Sequence, residues 1–410
     1  MKVGYILLDG CGDRPVPDLN FTTPLEAAYT PNLDKISSRS RLGSVTTVGE
    51  GVAPESDIAV FNMLGYSFER GYPGRGVVEA VGAGLEMKDG YLALRANLAS
   101  SKGIRILDRR AGRNLTQEEA DQLAEDLKSI RLKDADFEFR ATVSYRGVLV
   151  IRADERLNAA ISNTDPAYAR VGGFGAAKEV SLGERIQKCV PESKEKAARR
   201  AAELVNEFTS KAVRILNSSE ANRHRIREGK LPANCVLLRD AGDHLPRVPS
   251  FDERYKMKGT ALVEMPAEVG IAKILKMRMV PIKDRNDMKE KASKFVSEIQ
   301  EGVVAYVHIK GPDEFGHDGN AKGKKSCIET IDRDFFSAAL EHVTDTRIAV
   351  SCDHSTPCTI KMHSADPVPL LITSNSKGEG KRFTEESGRT GSLGHMKGAG
   401  VLPAVTRRTS

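Results

Sequence analysis

The segment Lys310-Gly311-Pro312-Asp313-Glu314-Phe315-Gly316-His317-Asp318-Gly319 carries a carboxylate and an imidazole four positions apart. On one helical turn, or in a tight loop, both side chains face one point. Aspartate with histidine is a borderline-hard donor pair suited to Mn2+, Zn2+, Co2+ or Fe2+. A surface turn with an incidental histidine would look the same taken singly. Ser351-Cys352-Asp353-His354-Ser355 repeats the pair just after an apolar run. Past a strand end a turn can bring both groups onto one ion, and a buried strand end rarely carries two polar groups without partners. Leu7-Leu8-Asp9-Gly10 is again an apolar run and then a carboxylate, with a glycine allowing close approach. A turn or cap aspartate is the plainer account of Asp9.

Ala53-Pro54-Glu55-Ser56-Asp57 leads into the helical pattern Ile58–Leu64. Ser56 sits where that helix begins, and free N–H groups there favour an anion or alkoxide. Serine attacks poorly at neutral pH unless a base or a metal lowers its pKa, and no G-x-S-x-G elbow lies nearby. On its own residues Ser56 therefore reads as a helix N-cap. The glycine-rich loop Gly388-Arg389-Thr390-Gly391-Ser392-Leu393-Gly394-His395 would be anchored if His395 were a ligand. Arginines gather in the middle of the chain, at Arg75, Arg109, Arg110, Arg113, Arg146, Arg223, Arg225 and Arg239. Guanidinium forks clamp carboxylates and phosphates, although solvated helix faces account for most of these singly.

The elements that must position these groups alternate short apolar runs with helical patterns, an α/β arrangement. Tyr5–Leu8, Val303–Ile309, Ile348–Ser351 and Val368–Thr373 are continuous apolar runs, as in a mostly parallel sheet covered on both faces. Asp9, Asp313 and Asp353 follow closely on three of them, and ligands bind beyond the carboxyl ends of such strands. Helical patterns run over Pro266–Met277, Asp287–Ile299 and Lys325–Val343. The middle of the chain has another texture. Thr116 and Glu119 form a capping box opening a helix to about Ile130. Phe137–Thr142 and Tyr145–Ile151 read as strands around a short Tyr145-Arg146-Gly147 connection, and Lys194–Leu216 is a long helix. This suits a smaller α+β domain, residues 73–245, inserted into a core domain made of residues 1–72 and 246–410.

At 410 residues the chain has room for two domains and an ample core. Its 40% hydrophobic and 29% charged content excludes a largely disordered chain. No apolar run approaches the ~18–20 residues of a membrane span, and no targeting segment is evident, which points to the cytoplasm. The formal charge of +6 is mild and suits an acidic small substrate. A nucleic-acid binder is the reading from another class, weakened by 5% aromatic content and no interleaved basic and aromatic stretches. The six cysteines, Cys11, Cys189, Cys235, Cys327, Cys352 and Cys358, include no C-x-x-C pair, so free thiols are expected.

Leu7-Leu8-Asp9-Gly10, Ala53-Pro54-Glu55-Ser56-Asp57 with Leu64-Gly65-Tyr66, Asp108-Arg109-Arg110-Ala111-Gly112-Arg113, Lys310-Gly311-Pro312-Asp313 with His317-Asp318-Gly319, Asp353-His354-Ser355-Thr356-Pro357 and Gly394-His395 follow one another along nearly the whole chain. In that order and combination they resemble the archaeal-type 2,3-bisphosphoglycerate-independent phosphoglycerate mutases, a branch of the alkaline phosphatase superfamily. The resemblance implies an alkaline-phosphatase-like core with a substrate-binding insert. It implies interconversion of 3-phosphoglycerate and 2-phosphoglycerate through a phosphoserine, without 2,3-bisphosphoglycerate.

By the same resemblance Ser56 is the residue phosphorylated. Asp9, Ser56, Asp353 and His354 match the ligands of one divalent ion, and Asp313, His317 and His395 those of the other. Mn2+ or Mg2+ is favoured over Co2+ or Zn2+. Lys310 is placed to neutralise the transferring group, Arg109, Arg110 and Arg146 are the matches for substrate binding, and Asp165 is the candidate base for the glycerate hydroxyls. The family pattern has histidine where Tyr145 stands and glycine where Asp240 stands, which touches the insert's substrate contacts rather than the metal core. A metal-dependent phosphatase, or a mutase for another phosphorylated metabolite, remains the alternative on the same core. Neither nucleic acid nor membrane is an expected partner, and a homo-oligomer is left open.

Overall fold

A computed structural model of the chain describes residues 1–68, 71–171, 174–177, 185–284, 286–340, 345–373 and 378–407. It divides into two compact units, one of Met1–Phe68, Val248–Glu264 and Ile271–Ser410, the other of Glu69–Arg247 and Met265–Gly270.

The first unit is built on an eight-stranded sheet. In spatial order its strands are Arg278–Met279, Lys258–Leu262, Val303–Ile309, Lys2–Leu8, Thr346–Cys352, Val368–Thr373, Ser40–Thr46 and Gly394–Lys397. All neighbours are parallel except Val368–Thr373, which runs antiparallel to both of its own. Every residue of Val303–Ile309 is buried, and so is every residue of Lys2–Leu8 after the first. Uninterrupted burial means both faces are covered, the arrangement that unbroken apolar runs require. The register aligns the strand ends: Leu8 pairs with Ile309 on one side and Cys352 on the other. Asp9, Lys310 and Asp353 therefore leave the sheet along one edge.

The helices begin where local chemistry satisfies their first N–H groups. Asp287 accepts from Lys289 and Glu290 to open Met288–Glu298. The helix expected over Lys325–Val343 begins earlier, at Ala321, because Asn320 accepts from the Gly323 N–H. It runs through a π-helical turn at Asp332–Phe336 into Ser337–Leu340; residues 341–343 of the expected helix lie outside the described residues. At that turn Asp332 accepts from the Asn32 and Leu33 N–H groups and starts the helix Pro31–Ser37.

The second unit holds a five-stranded antiparallel sheet centred on Leu92–Lys102, which pairs with Arg105–Asp108, Arg146–Ala153 and Cys235–Gly242; Ala135–Ala141 follows beyond Arg146–Ala153. The expected connection at Tyr145-Arg146-Gly147 is displaced. The turn is at Val143–Tyr145, with Ser144 at φ 55°, and Gly147 lies within the ladder opposite Ala141 and Ala96. Both hydrogen bonds of the Thr116–Glu119 capping box form, and the helix Gln117–Leu127 buries Ala120, Leu123, Ala124 and Leu127. With the long helix Lys196–Asn217 these close one apolar core against Leu94, Leu98, Phe139 and Leu149.

No helix among the described residues is long and apolar enough to cross a membrane. All six cysteines are free.

Candidate metal centre

Asp9 and Asp353 stand one residue past the ends of neighbouring parallel strands, so their carboxylates meet at the sheet edge. Gly10 makes the approach close. Its φ is +56°, and a Cβ there would lie 2.6 Å from Asp313 Oδ1 and 2.7 Å from Thr356 Oγ1. The Gly10 N–H donates to Asp353 Oδ1 at 3.0 Å. Asp9, Asp353 and His354, all buried, offer ligand atoms within 4.8 Å of one another. Ser56 joins them: its Oγ is 3.2 Å from His354 Nε2. The N-cap is Glu55, so Ser56 is the first helical residue and its hydroxyl is not spent on capping, unlike the local reading of the sequence.

Asp313 and His317 stand on the short helix Pro312–Asp318 at the spacing that places both on one face. Their groups approach to 3.5 Å. The third member of this group is His363, whose Nε2 is 3.4 Å from Asp313 Oδ1.

His395, expected here, is elsewhere. It lies on the edge strand Gly394–Lys397, with Nδ1 2.9 Å from Ser44 Oγ and Nε2 3.0 Å from Thr46 Oγ1. Two strands separate it from Thr346–Cys352, roughly 14 Å at the usual strand spacing. His363 carries no local signature. It reaches the site because Ser355 and Ser364 form an antiparallel bridge that folds the intervening loop back onto His354. The available signal was a histidine a short loop beyond Asp353-His354.

His317, His354 and His363 each use Nδ1 for support and present Nε2 inward. Nδ1 of His363 donates to the Pro54 carbonyl at 2.7 Å, and that of His317 to the Lys361 carbonyl at 3.1 Å. Nδ1 of His354 donates to Thr356 Oγ1 at 3.1 Å, while that hydroxyl donates to Asp313 Oδ1 at 2.6 Å. Such outer contacts fix tautomer and ring orientation in metal-binding histidines. Lys310 Nζ lies 3.1 Å from Asp9 Oδ2. His308, which the sequence reading passed over, is buried behind the cluster with Nε2 3.4 Å from Asp353 Oδ2.

The electrostatics are those of a cation cage. Burial, opposed by Lys310 and reinforced by Asp353 and Asp313, pushes the Asp9 carboxyl up to about 7. Against their own burial, Asp353 is held below the usual carboxylate range by His354, His308 and Lys310, and Asp313 by His363, His354 and His317. Burial drives His354 down to about 4. At His363 burial is outweighed by the hydrogen bond and charge of Asp313, and the ring rises to about 9. Among the described residues, Asp9 Oδ1 and Asp353 Oδ2 are buried and accept no closely made hydrogen bond, the nearest groups being the Nε2 atoms of His354 and His308 at 3.4 to 3.8 Å. Buried carboxylate oxygens facing imidazole nitrogens are the donor set a divalent ion satisfies.

In the second unit Asp165 is wholly buried and gripped by Arg109, through Nε to Oδ1 at 2.9 Å and Nη2 to Oδ2. Arg239, not singled out as a site residue, adds Nη1 to Oδ2 at 3.3 Å, and both guanidinium groups lie over the Tyr168 ring. The Arg146 guanidinium sits over Tyr145, and Arg110, next to Arg109 in sequence, is half-buried. Asp240, where glycine was expected, adopts φ 57°, a left-handed conformation aspartate tolerates better than most residues. Its carboxylate meets Arg95 Nη1 at 3.0 Å, and Arg95 also pairs with Glu79.

A family model described as 2,3-bisphosphoglycerate-independent phosphoglycerate mutase matches residues 37–222. A relative from Aeropyrum pernix, named 2,3-bisphosphoglycerate-independent phosphoglycerate mutase, is 42% identical over 97% of this chain and 97% of its own. The chain belongs to this mutase family. Among solved structures, a Pyrococcus horikoshii protein aligns with TM-score 0.77 and 30% identity over 100% of this chain and 98% of its own. The cofactor-independent phosphoglycerate mutase from Thermoplasma acidophilum aligns with TM-score 0.63 and 31% identity over 99% of each. Membership of the mutase family thus extends over both units, whereas the family model alone spans the end of the first segment and most of the insert.

Proposed function

We propose that this chain interconverts 3-phosphoglycerate and 2-phosphoglycerate through phosphorylation of Ser56, without 2,3-bisphosphoglycerate. The observation that carries the proposal is the Ser56 hydroxyl, set at a helix start and 3.2 Å from His354 in the acidic cage. Asp9, Ser56, Asp353 and His354 would hold one divalent ion, and Asp313, His317 and His363 the other. Bound there, the ions supply positive charge that favours the serine alkoxide and offsets charge on the phosphoryl oxygens. Mixed carboxylate and imidazole donors without thiolate suit Mn2+ or Mg2+, our assignment, and Co2+ or Zn2+ can use the same set.

Ser56 Oγ attacks the phosphorus of 3-phosphoglycerate; its bond to phosphorus forms as the bond to the substrate's 3-oxygen breaks. Lys310 and the N–H groups at the start of the helix Ser56–Met63 stabilise the charge on the transferring group. The departing 3-oxygen takes up a proton. The 2-hydroxyl then attacks phosphoserine, losing its proton as Ser56 leaves, and 2-phosphoglycerate forms. Asp165 is the proposed group through which the hydroxyl protons pass, and Arg109, Arg110 and Arg146 are proposed to bind the substrate's anionic groups. Water must be kept from the phosphoserine, or the outcome is hydrolysis. We assign the enzyme to the cytoplasm, with the phosphorylated metabolites it uses.

Phosphorus NMR on the protein with Mn2+ and 3-phosphoglycerate tests this reading. The expected product is 2-phosphoglycerate, lost in Ser56→Ala with the fold retained. Orthophosphate as the main product would establish the phosphatase instead, and full activity in Ser56→Ala would remove Ser56 from the mechanism.

A further inference from the structure

Lys324 lies on the helix Ala321–Ile331 among other lysines, yet it is buried on the stripe that carries Ala321 and Ile328. Its ammonium has three N–H groups and uses all three. They reach the Gly12 carbonyl at 3.1 Å, Asp13 Oδ2 at 2.8 Å and the Thr356 carbonyl at 3.0 Å. Both side chains of the Lys324–Asp13 pair are 0% exposed. The other Asp13 oxygen accepts from the Arg14 and Cys358 N–H groups at 2.8 and 3.1 Å. The Gly12 carbonyl also accepts from the Thr356 N–H at 3.0 Å.

These contacts join the two turns that carry the ligands. Gly12 is three residues beyond Asp9 and Thr356 two beyond His354. The Thr356 hydroxyl is the one that touches both His354 Nδ1 and Asp313 Oδ1. A buried ion pair adds little net stability over an apolar replacement, because desolvation offsets the attraction. Stability alone therefore does not account for a cation buried at this junction. Asp9, Asp353 and Asp313 repel one another, and Lys310 and His363 offset that only in part, so contacts that hold their turns together favour the site before metal binds.

We propose that Lys324, paired with Asp13, is a positioning residue that holds the turns Asp9–Asp13 and Asp353–Cys358 in the metal-binding arrangement before metal binds. It acts through Gly12 and Thr356 and touches no ion. The proposal rests on Asp9, Asp353, His354, Asp313, His317 and His363 being ligands.

Amide exchange on the intact, metal-free protein is the first test. The N–H groups of Gly10, Thr356 and Cys358 should exchange as slowly as those of the strand Lys2–Leu8. Exchange at open-loop rates, slowed only by added Mn2+, would overturn the proposal. The second test is Mn2+ titration calorimetry of Lys324→Met and of the double variant Lys324→Met with Asp13→Asn, which leaves no buried charge unpaired. Affinity should fall about 10- to 100-fold in both, with kcat reduced and KM for 3-phosphoglycerate unchanged, even where the double variant melts at the parent's temperature. Parental Mn2+ affinity and kcat in a stably folded double variant would overturn the clamp alone. Failure of the parent itself to bind Mn2+ would overturn the ligand reading, and the proposal with it.

Discussion

The imidazoles of His354 and His363 lie face to face, with ring centroids 3.8 Å apart and planes 26° from parallel. One ring belongs to the Asp9–Asp353 group and the other to the Asp313 group, so the two candidate ion sites share a wall. Two-metal phosphoryl-transfer sites place their ions about 3.5–4 Å apart so that nucleophile and transferring oxygens are gripped together. The contact also gives the two ligand groups a common dependence on how the chain returns after His354.

His363 and His395 should behave oppositely. His363→Ala is expected to lower mutase kcat by more than about 100-fold, since losing a ligand exceeds losing its outer-sphere support. His395→Ala, at an exposed edge strand, should change stability by no more than about 0.5 kcal/mol and leave activity near the parent's. Metal content by elemental analysis separates them: loss of bound metal in His395→Ala but not in His363→Ala would reverse the assignment.

The metal-free protein should lose stability as pH rises from about 6.5 to about 9. His363 has a folded pKa raised to about 9 from an unfolded value of 6.5. The folded state thus holds its proton more tightly, and that stabilisation is complete below 6.5 and gone above 9. Asp9 and Glu385, both raised by burial to about 7, also lose stability as pH rises, but through a window closing near 7. Mn2+ must displace the His363 proton, so affinity should climb over the same range. Melting curves across this range check the first point, and a flat profile would contradict it. His363→Asn should remove most of the slope above pH 7.

Gly10→Ala should damage both fold and site. The left-handed backbone alone disfavours alanine by about 1–2 kcal/mol, and the new methyl would press on Asp313 Oδ1 and Thr356 Oγ1. Lowered melting temperature together with weaker Mn2+ binding is the expected pair of results. A drop in melting temperature with parental Mn2+ affinity would show that the Asp313 side yields to the methyl.

Asp165→Ala leaves Arg109 and Arg239 facing an empty buried position. Breaking a buried pair from one side costs about 3–5 kcal/mol, and urea unfolding should show a loss of that size. A loss below about 1 kcal/mol would mean the arginines find water or other partners.

Local patterning was enough for the parts of the site that sit at strand ends or on one helical turn. Apolar runs followed by Asp9 and Asp353 place carboxylates at a sheet edge, because parallel strands in register end together. The spacing of Asp313 and His317 is itself a statement about one helix face. Leu92–Lys102, the hub of the second sheet, was not legible. Its alanines, serines and buried Arg95 and Asn97 lack the β-branched and aromatic residues that mark a strand, and it is held by pairing on both sides.

Other features are decided by return paths of the chain. Which histidine completes the Asp313 group depends on the Ser355–Ser364 bridge, a contact that no periodicity encodes. Whether Ser56 caps its helix or faces the cage depends on where His354 arrives, 298 residues further along. Asp165 meets Arg239 across 74 residues, and Lys324 meets Asp13 across 311. Sequence alone thus determined the family, the sheet and the carboxylates at its edge, since these follow from short-range pattern and motif order. Tertiary structure decided the third imidazole, the direction of the serine and the buried ion pairs, since each needs groups far apart in the chain to be desolvated against one another.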